Sequence, residues 1–142
     1  MANWYGSART NYVHITDLDA LIKALEGFDV NVVEGCANEE GMYAFFAHTD
    51  SGGFAHERWT DDADEAEEFD FIEHVMPYVA DGEVLIVMES GAEKLRYITG
   101  DAYAYIRRGS KIEHTSLHLH GIYRLAADAF GVPRKQINIA EY

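Results

Sequence analysis

The chain has one cysteine, Cys36, in 142 residues. A lone thiol excludes an internal disulfide framework and suits a reducing compartment, so a cytoplasmic protein is expected. No apolar run approaches the ~20 residues that cross a bilayer as a helix. The opening MANWYGSART has neither a basic n-region nor an apolar h-region, and no secretory signal is read from it. CxxC, HExxH, GxSxG and the phosphate-binding GxxxxGK(S/T) pattern are all missing, which leaves the common metal, nucleophile and nucleotide chemistries without a motif. Cations are scarce as well. Residues 1–93 carry 21 Asp+Glu against Arg9, Lys23 and Arg58, a net of −18, whereas residues 94–142 carry four acids against eight Lys+Arg, a net of +4.

Hydrophobic residues make up 48% of the chain, with 2 Trp, 9 Tyr and 7 Phe. That apolar mass excludes a disordered acidic tail and supports a single folded domain over residues 1–142. Asn11–Ile15 alternates polar and apolar residues as a short strand does. Thr16 stands at an N-cap position before Leu18, Leu21, Ile22 and Leu25, which fall at helical spacing up to Gly27. Val30–Glu34 reads as a strand. Met42–His48 and Phe54–Trp59 flank the turn Thr49–Gly53 and predict a hairpin. Phe71, Ile72, Val75 and Val79 form a helical stripe that Pro77 must shorten.

Val84–Met88 (VLIVM) is the most apolar segment and the expected central strand, next to Arg96–Ile106, where Tyr97, Tyr103 and Tyr105 share a face. After the basic turn Arg107–Lys111, Leu119, Ile122, Tyr123, Ala126 and Phe130 predict a last amphipathic helix. It is closed by Gly131 and Pro133, with Gln136–Ile139 as a possible edge strand. The pattern is α+β: a mainly antiparallel sheet of about seven strands with about three helices packed on it, a ferredoxin-like arrangement being one topology.

The negative charge peaks in Asp61, Asp62, Asp64, Glu65, Glu67, Glu68, Asp70 and Glu73, thirteen positions without a cation. Such a field repels nucleic acid and anionic membrane and attracts basic partners. Six carboxylates in eight residues would give roughly 2 Å of axis per charge as a helix, near the ~1.7 Å of duplex DNA, and roughly 4.4 Å as an extended chain, nearer a single strand. A solvated face serving solubility is the competing reading. The segment Glu113–His120 holds His114, His118 and His120, but it lacks the three or four ligands of a zinc site without a further contributor such as His74, His56 or Glu113. Exposed histidines at a helix start are expected there instead, with no metal and no cofactor. Cys36 lies beside Glu39 and Glu40, which raise a thiol pKa and oppose nucleophilic use.

Three stretches carry a resemblance: Asn3–Tyr12 (NWYGSARTNY), Ala80–Ile98 with its GAEKLRY segment Gly91–Tyr97, and Ile137–Tyr142. In these the chain is similar to small, acidic, uncharacterised proteins carried by bacteriophages and conjugative elements. Arg107–His120 departs from their pattern. The resemblance brings no catalytic residues. It implies a context in which accessory genes encode inhibitors of restriction or CRISPR systems. The expected function is therefore an anti-defence inhibitor, not an enzyme, that binds a basic nucleic-acid-handling host protein through the acidic run, with no direct nucleic-acid or membrane binding and a possible homodimer. An acidic structural or regulatory adaptor is the alternative, and a small metal-dependent hydrolase a third.

Overall fold

The computed structural model describes residues 4–62, 64–93 and 97–140. Among these residues eight strands and three α-helices follow in chain order. These are β1 Trp4–Thr10, α1 Leu18–Ala24, β2 Val30–Glu34, β3 Tyr43–Ala47, β4 Glu57–Arg58, β5 Glu67–Glu68, α2 Phe71–His74, β6 Val84–Glu93, β7 Tyr97–Arg108, β8 Lys111–His118 and α3 Ile122–Phe130. Six strands form one sheet in the order β2-β3-β1-β6-β7-β8, and β4 and β5 form a separate ribbon. All neighbouring pairs run antiparallel, so the fold is α+β as expected, whereas a ferredoxin-like order with parallel central strands is not formed.

Position along each strand decides which face a side chain takes. On β6, Leu85 and Val87 point to the core and are buried, while Val84 and Met88 point the other way and are exposed. VLIVM is thus central but covered on one face. The cover comes from α1, α2 and the 3-10 turn Met76–Tyr78, which bring Leu21, Leu25, Phe71, Val75, Met76 and Val79 against Val13, Phe45, Leu85 and Val87. Asp17, not Thr16, caps α1, its carboxylate accepting from the Ala20 N–H at 3.1 Å. Thr16 instead donates to the Tyr78 carbonyl. Pro77 ends α2 and sits inside that 3-10 turn, as its missing N–H requires.

Further expectations are corrected. The N-terminal strand is β1, paired with β6 from Trp4↔Glu93 to Thr10↔Val87, while Val13 and Ile15 make isolated bridges to Tyr43 and Val79. The Thr49–Gly53 turn does not close a hairpin. It folds on itself, Thr49 Oγ1 donating to the Gly53 carbonyl at 2.6 Å, and docks on β1, where Ser51 accepts from the Gly6 N–H. Gly52, at φ +82°, lies so close that a Cβ would fall 1.8 Å from the Gly6 carbonyl oxygen. Phe54 consequently enters the core, and the chain pairs later, β4 with β5.

The last helix forms but buries none of its residues. It packs chiefly against the turns on either side of it, and contact with the sheet comes through Leu119 against Gly100. Gln136–Ile139 is no strand, since Arg134–Gln136 is a 3-10 turn. No helix among the described residues is long and apolar enough to cross a membrane.

Candidate functional site

The acidic run is neither helix nor extended strand over most of its length. Asp61 and Asp62 lie in a turn, Asp64 and Glu65 in a bend, and regular structure resumes with Glu67–Glu68 in β5. Neither regular charge spacing is realised, so duplex-like linear density gives no account of it. Asp61, Asp62, Asp64, Glu65, Glu68, Asp70 and Glu73 are exposed, and none makes an ion pair among the described residues. Asp70 has a local task as well, capping α2 by accepting from the Ile72 N–H at 2.8 Å.

Glu67 departs from the others. The register Arg58↔Glu67 across the ribbon turns it toward Arg58, whose Nε and Nη2 donate to one carboxylate oxygen at 2.9 and 2.8 Å. The other oxygen accepts from Nε2 of the buried His74 at 2.8 Å. His74 Nδ1 lies 3.0 Å from both the backbone nitrogen and the carbonyl oxygen of Asp70, so both ring nitrogens have partners. Arg58 also donates to the Ala24 and Glu26 carbonyls and lies over the Phe28 ring, tying the ribbon to the end of α1. The His74 hydrogen bond first, and then that from Arg58, hold the Glu67 carboxyl below its ordinary range.

That depression has a sign in pH. A carboxyl lowered by folding contributes stability that is complete above the ordinary carboxylate range and is lost as pH falls through the lower folded value. Urea midpoints measured down a pH series should therefore fall in acid, and Glu67→Gln should flatten that part of the fall. Equal acid dependence in both proteins would remove Glu67 from the account.

Glu67, Glu73 and His74 bring their ligand atoms within 4.8 Å of one another, a convergence the sequence reading did not single out. Both Glu67 oxygens are already occupied by cationic or N–H donors, and a metal there would face the Arg58 guanidinium. The donor set is that of an ion-pair network. The His114–His120 segment is not a helix start: His114 and His118 lie on one face of β8, opposite Tyr105 and Asp101, and His120 follows in a 3-10 turn. His118 bonds the Asp101 carboxylate and His114 stacks on Tyr105.

Beside the acidic run a cleft of about 600 Å3 opens between β5, α2 and the sheet. Phe54, Phe69, Phe71, Tyr103 and Tyr105 supply aromatic walls, and Glu68, Asp70, Glu73 and Glu89 supply carboxylates. The rings are ordered by contact: Phe71 lies near-parallel to Tyr105 at 6.0 Å, and Tyr105 to Tyr103 at 6.4 Å. Burial first, and then nearby carboxylates, push both phenols above their ordinary range, so they stay neutral donors. A depression of about 710 Å3 between α1 and β2, with Lys23 on its wall, has no comparable convergence of rings and carboxylates.

Aromatic faces beneath an acidic rim suit a cation carried on an apolar stem, the description of a Lys or Arg side chain. Sequence reasoning found Tyr103 and Tyr105 but not their meeting with Phe54, Phe69 and Glu89, which depends on the turn failing to make a hairpin. The basic turn, by contrast, is largely spent internally. Arg107 donates to the Val79 carbonyl, Arg108 pairs with Glu113 at 2.6 Å, and Lys111 lies 3.4 Å from the same carboxylate. Comparison with protein-family models, curated proteins and solved structures finds no match.

Proposed function

We propose that this protein binds a basic, nucleic-acid-handling host protein and blocks it stoichiometrically, its acidic face occupying a surface that otherwise holds DNA or RNA. The observation that carries this reading is the set Asp61, Asp62, Asp64, Glu65 and Glu68, exposed and unpaired among the described residues, beside an aromatic cleft. Lys and Arg side chains that grip phosphates would meet carboxylates here, and their stems would lie on the half-buried Tyr103 and Tyr105. Binding is the whole activity in this reading, with no turnover and no cofactor. A restriction or CRISPR component is the proposed target class, following the resemblance read from Asn3–Tyr12 and Gly91–Tyr97 in the sequence. Lys94, Leu95 and Arg96 within that second segment lie outside the described residues.

An affinity pull-down from bacterial host lysate at low and high salt tests it. Nuclease or CRISPR subunits should be captured at low salt and released at high salt, because charge contacts between exposed groups are screened. Capture of no nucleic-acid-handling protein, or capture indifferent to salt, would overturn it in favour of an adaptor whose acidity serves solubility.

A further inference from the structure

The lining of the aromatic cleft is one-sided in charge. Glu68, Asp70, Glu73 and Glu89 face it without an ion pair among the described residues, and no Lys, Arg or His lines it. Glu67 is spent on Arg58 and His74. Glu89 is unlike the other three, which are exposed, because it stands half-buried on β6. Asp101 lies opposite it on β7 and bonds His118, so one of these two neighbouring carboxylates has a partner that can carry positive charge. Glu89 has none among the described residues. One of its oxygens accepts from the Phe54 N–H at 2.7 Å, which fixes the side chain and leaves the second oxygen toward the cleft's contents. A half-buried carboxylate held this way keeps its charge at a cost that a bound cation offsets.

The floor beside Glu89 is flat. Tyr103 and Tyr105, two apart on β7, set their rings side by side, with centroids 6.4 Å apart and planes within 20°. Burial first, and then Asp101 and Glu89, raise the Tyr103 phenol; burial first, and then Asp70, Tyr103 and Glu89, raise that of Tyr105. Carboxylates from the α2 cap and from β6 are therefore both close to this floor. Asp70 keeps one oxygen free after capping α2.

We propose that the cleft seats an arginine side chain of the partner in preference to a lysine, the guanidinium lying flat on Tyr103 and Tyr105 and donating to Glu89 and Asp70. The proposal rests on the reading of the chain as a binder of a basic protein, and it names the residue type that is gripped. A guanidinium is planar and weakly hydrated, so its faces lie on rings while its N–H groups point outward in its own plane. Acceptors standing around the edge of an aromatic floor meet that arrangement. An ammonium is a compact, strongly hydrated charge that gives up more water and has no face to stack. The chain already uses this recognition within itself. Arg58 lies over the Phe28 ring, 4.2 Å from its centroid, while its Nε and Nη2 donate to Glu67. The exposed run then supplies long-range attraction that salt screens, and the cleft supplies the choice of side chain.

Titration of the full chain with N-acetyl-arginine methylamide, and with its lysine counterpart, tests the proposal through NMR shifts of amide and tyrosine ring signals. The arginine probe should shift Tyr103, Tyr105 and Glu89 and should bind about 3- to 10-fold more tightly than the lysine probe. Glu89→Gln keeps an oxygen for the Phe54 N–H and should weaken the arginine probe about 5- to 10-fold. Tyr103→Leu should abolish the preference and Tyr103→Phe should retain it, with thermal unfolding to show that each variant is folded. If Tyr103→Leu does not fold, Glu89→Gln decides alone. Asp61→Asn, Asp62→Asn and Asp64→Asn together, none of them in the cleft lining, should leave probe binding within about twofold. Equal binding of the two probes, shifts confined to residues outside the cleft, or an unchanged affinity in Glu89→Gln overturns the proposal. The probes involve no host protein, so an empty pull-down would count against the partner reading and leave the preference measured here. A captured partner together with probes that bind alike would remove only the choice of arginine.

Discussion

Phe45→Ala should lower the free energy of unfolding by about 3–5 kcal/mol, the cost of removing a fully buried aromatic ring. Phe45 is 0% exposed, on a strand held between β1 and β2, and among the described residues no other side chain buried to this degree is as large. Its ring meets Phe71 edge-on at 6.4 Å, and its N–H donates to Thr10 Oγ1 at 2.9 Å. The first contact links the sheet to α2 and the second links β3 to β1, so the surroundings cannot collapse into the space without moving both. Against a total of about 5–15 kcal/mol for an ordinary domain, the loss is a large part of the whole. Leu85→Ala, on the other central strand, should cost about 2–5 kcal/mol by the same mechanism. Val33→Ala, on the outer sheet face, should stay within about 0.5 kcal/mol. Urea unfolding with an unchanged m-value would measure all three. A Phe45→Ala cost below about 1 kcal/mol would mean that the two layers do not meet at this ring.

The parts of the fold that were legible are those governed by local rules. Leu18, Leu21 and Leu25 at helical spacing mark α1, and the apolar Val84–Met88 marks the first half of β6. Tyr103 and Tyr105, two apart, share a face because a strand has period two. β1 was hidden for the opposite reason. Its sequence WYGSART holds Gly, Ser and Arg and shows little alternation, and its pairing with β6 joins residues far apart in the chain. Thr49–Gly53 has hairpin chemistry, but local turn signals do not decide partners, and burial of Phe54 outweighed them. Periodicity likewise gave α3 an apolar face without saying what covers it.

The candidate site divides along the same line. The carboxylates were legible as charge, and seven of the eight are exposed. Glu67 could not be told from its neighbours, because its inward turn follows from the register Arg58↔Glu67 and from the position of His74. Asp70 carried a usable signal: an Asp directly before Phe71 and Ile72 is a helix N-cap, and it acts as one. The cleft carried none, since its walls come from four separate stretches of chain.

Replacing Asp61, Asp62 and Asp64 with Asn and Glu65 with Gln should weaken binding to the captured partner about 4- to 700-fold. The estimate rests on about 0.2–1 kcal/mol for each exposed charge contact and on tenfold per 1.4 kcal/mol. These four are the right choice because they are exposed and unpaired among the described residues. Glu67 is excluded because it holds Arg58 and His74, and Asp70 because it caps α2. The salt dependence should change together with the affinity. Each carboxylate removed takes one screened contact with it, so the variant's affinity should fall less steeply with ionic strength than the parent's. Stability should move little, since unpaired exposed carboxylates contribute little to the folded state, and relief of mutual repulsion in a chain of net −14 could even raise it slightly. Calorimetric titration at two salt concentrations, with thermal unfolding alongside, separates the outcomes. A folded variant that binds and inhibits as well as the parent would leave the run a solubility feature, and the cleft of Phe71, Tyr103 and Tyr105 would have to carry recognition by itself. A variant with weakened binding and a flattened salt response ties recognition to the charge of this segment.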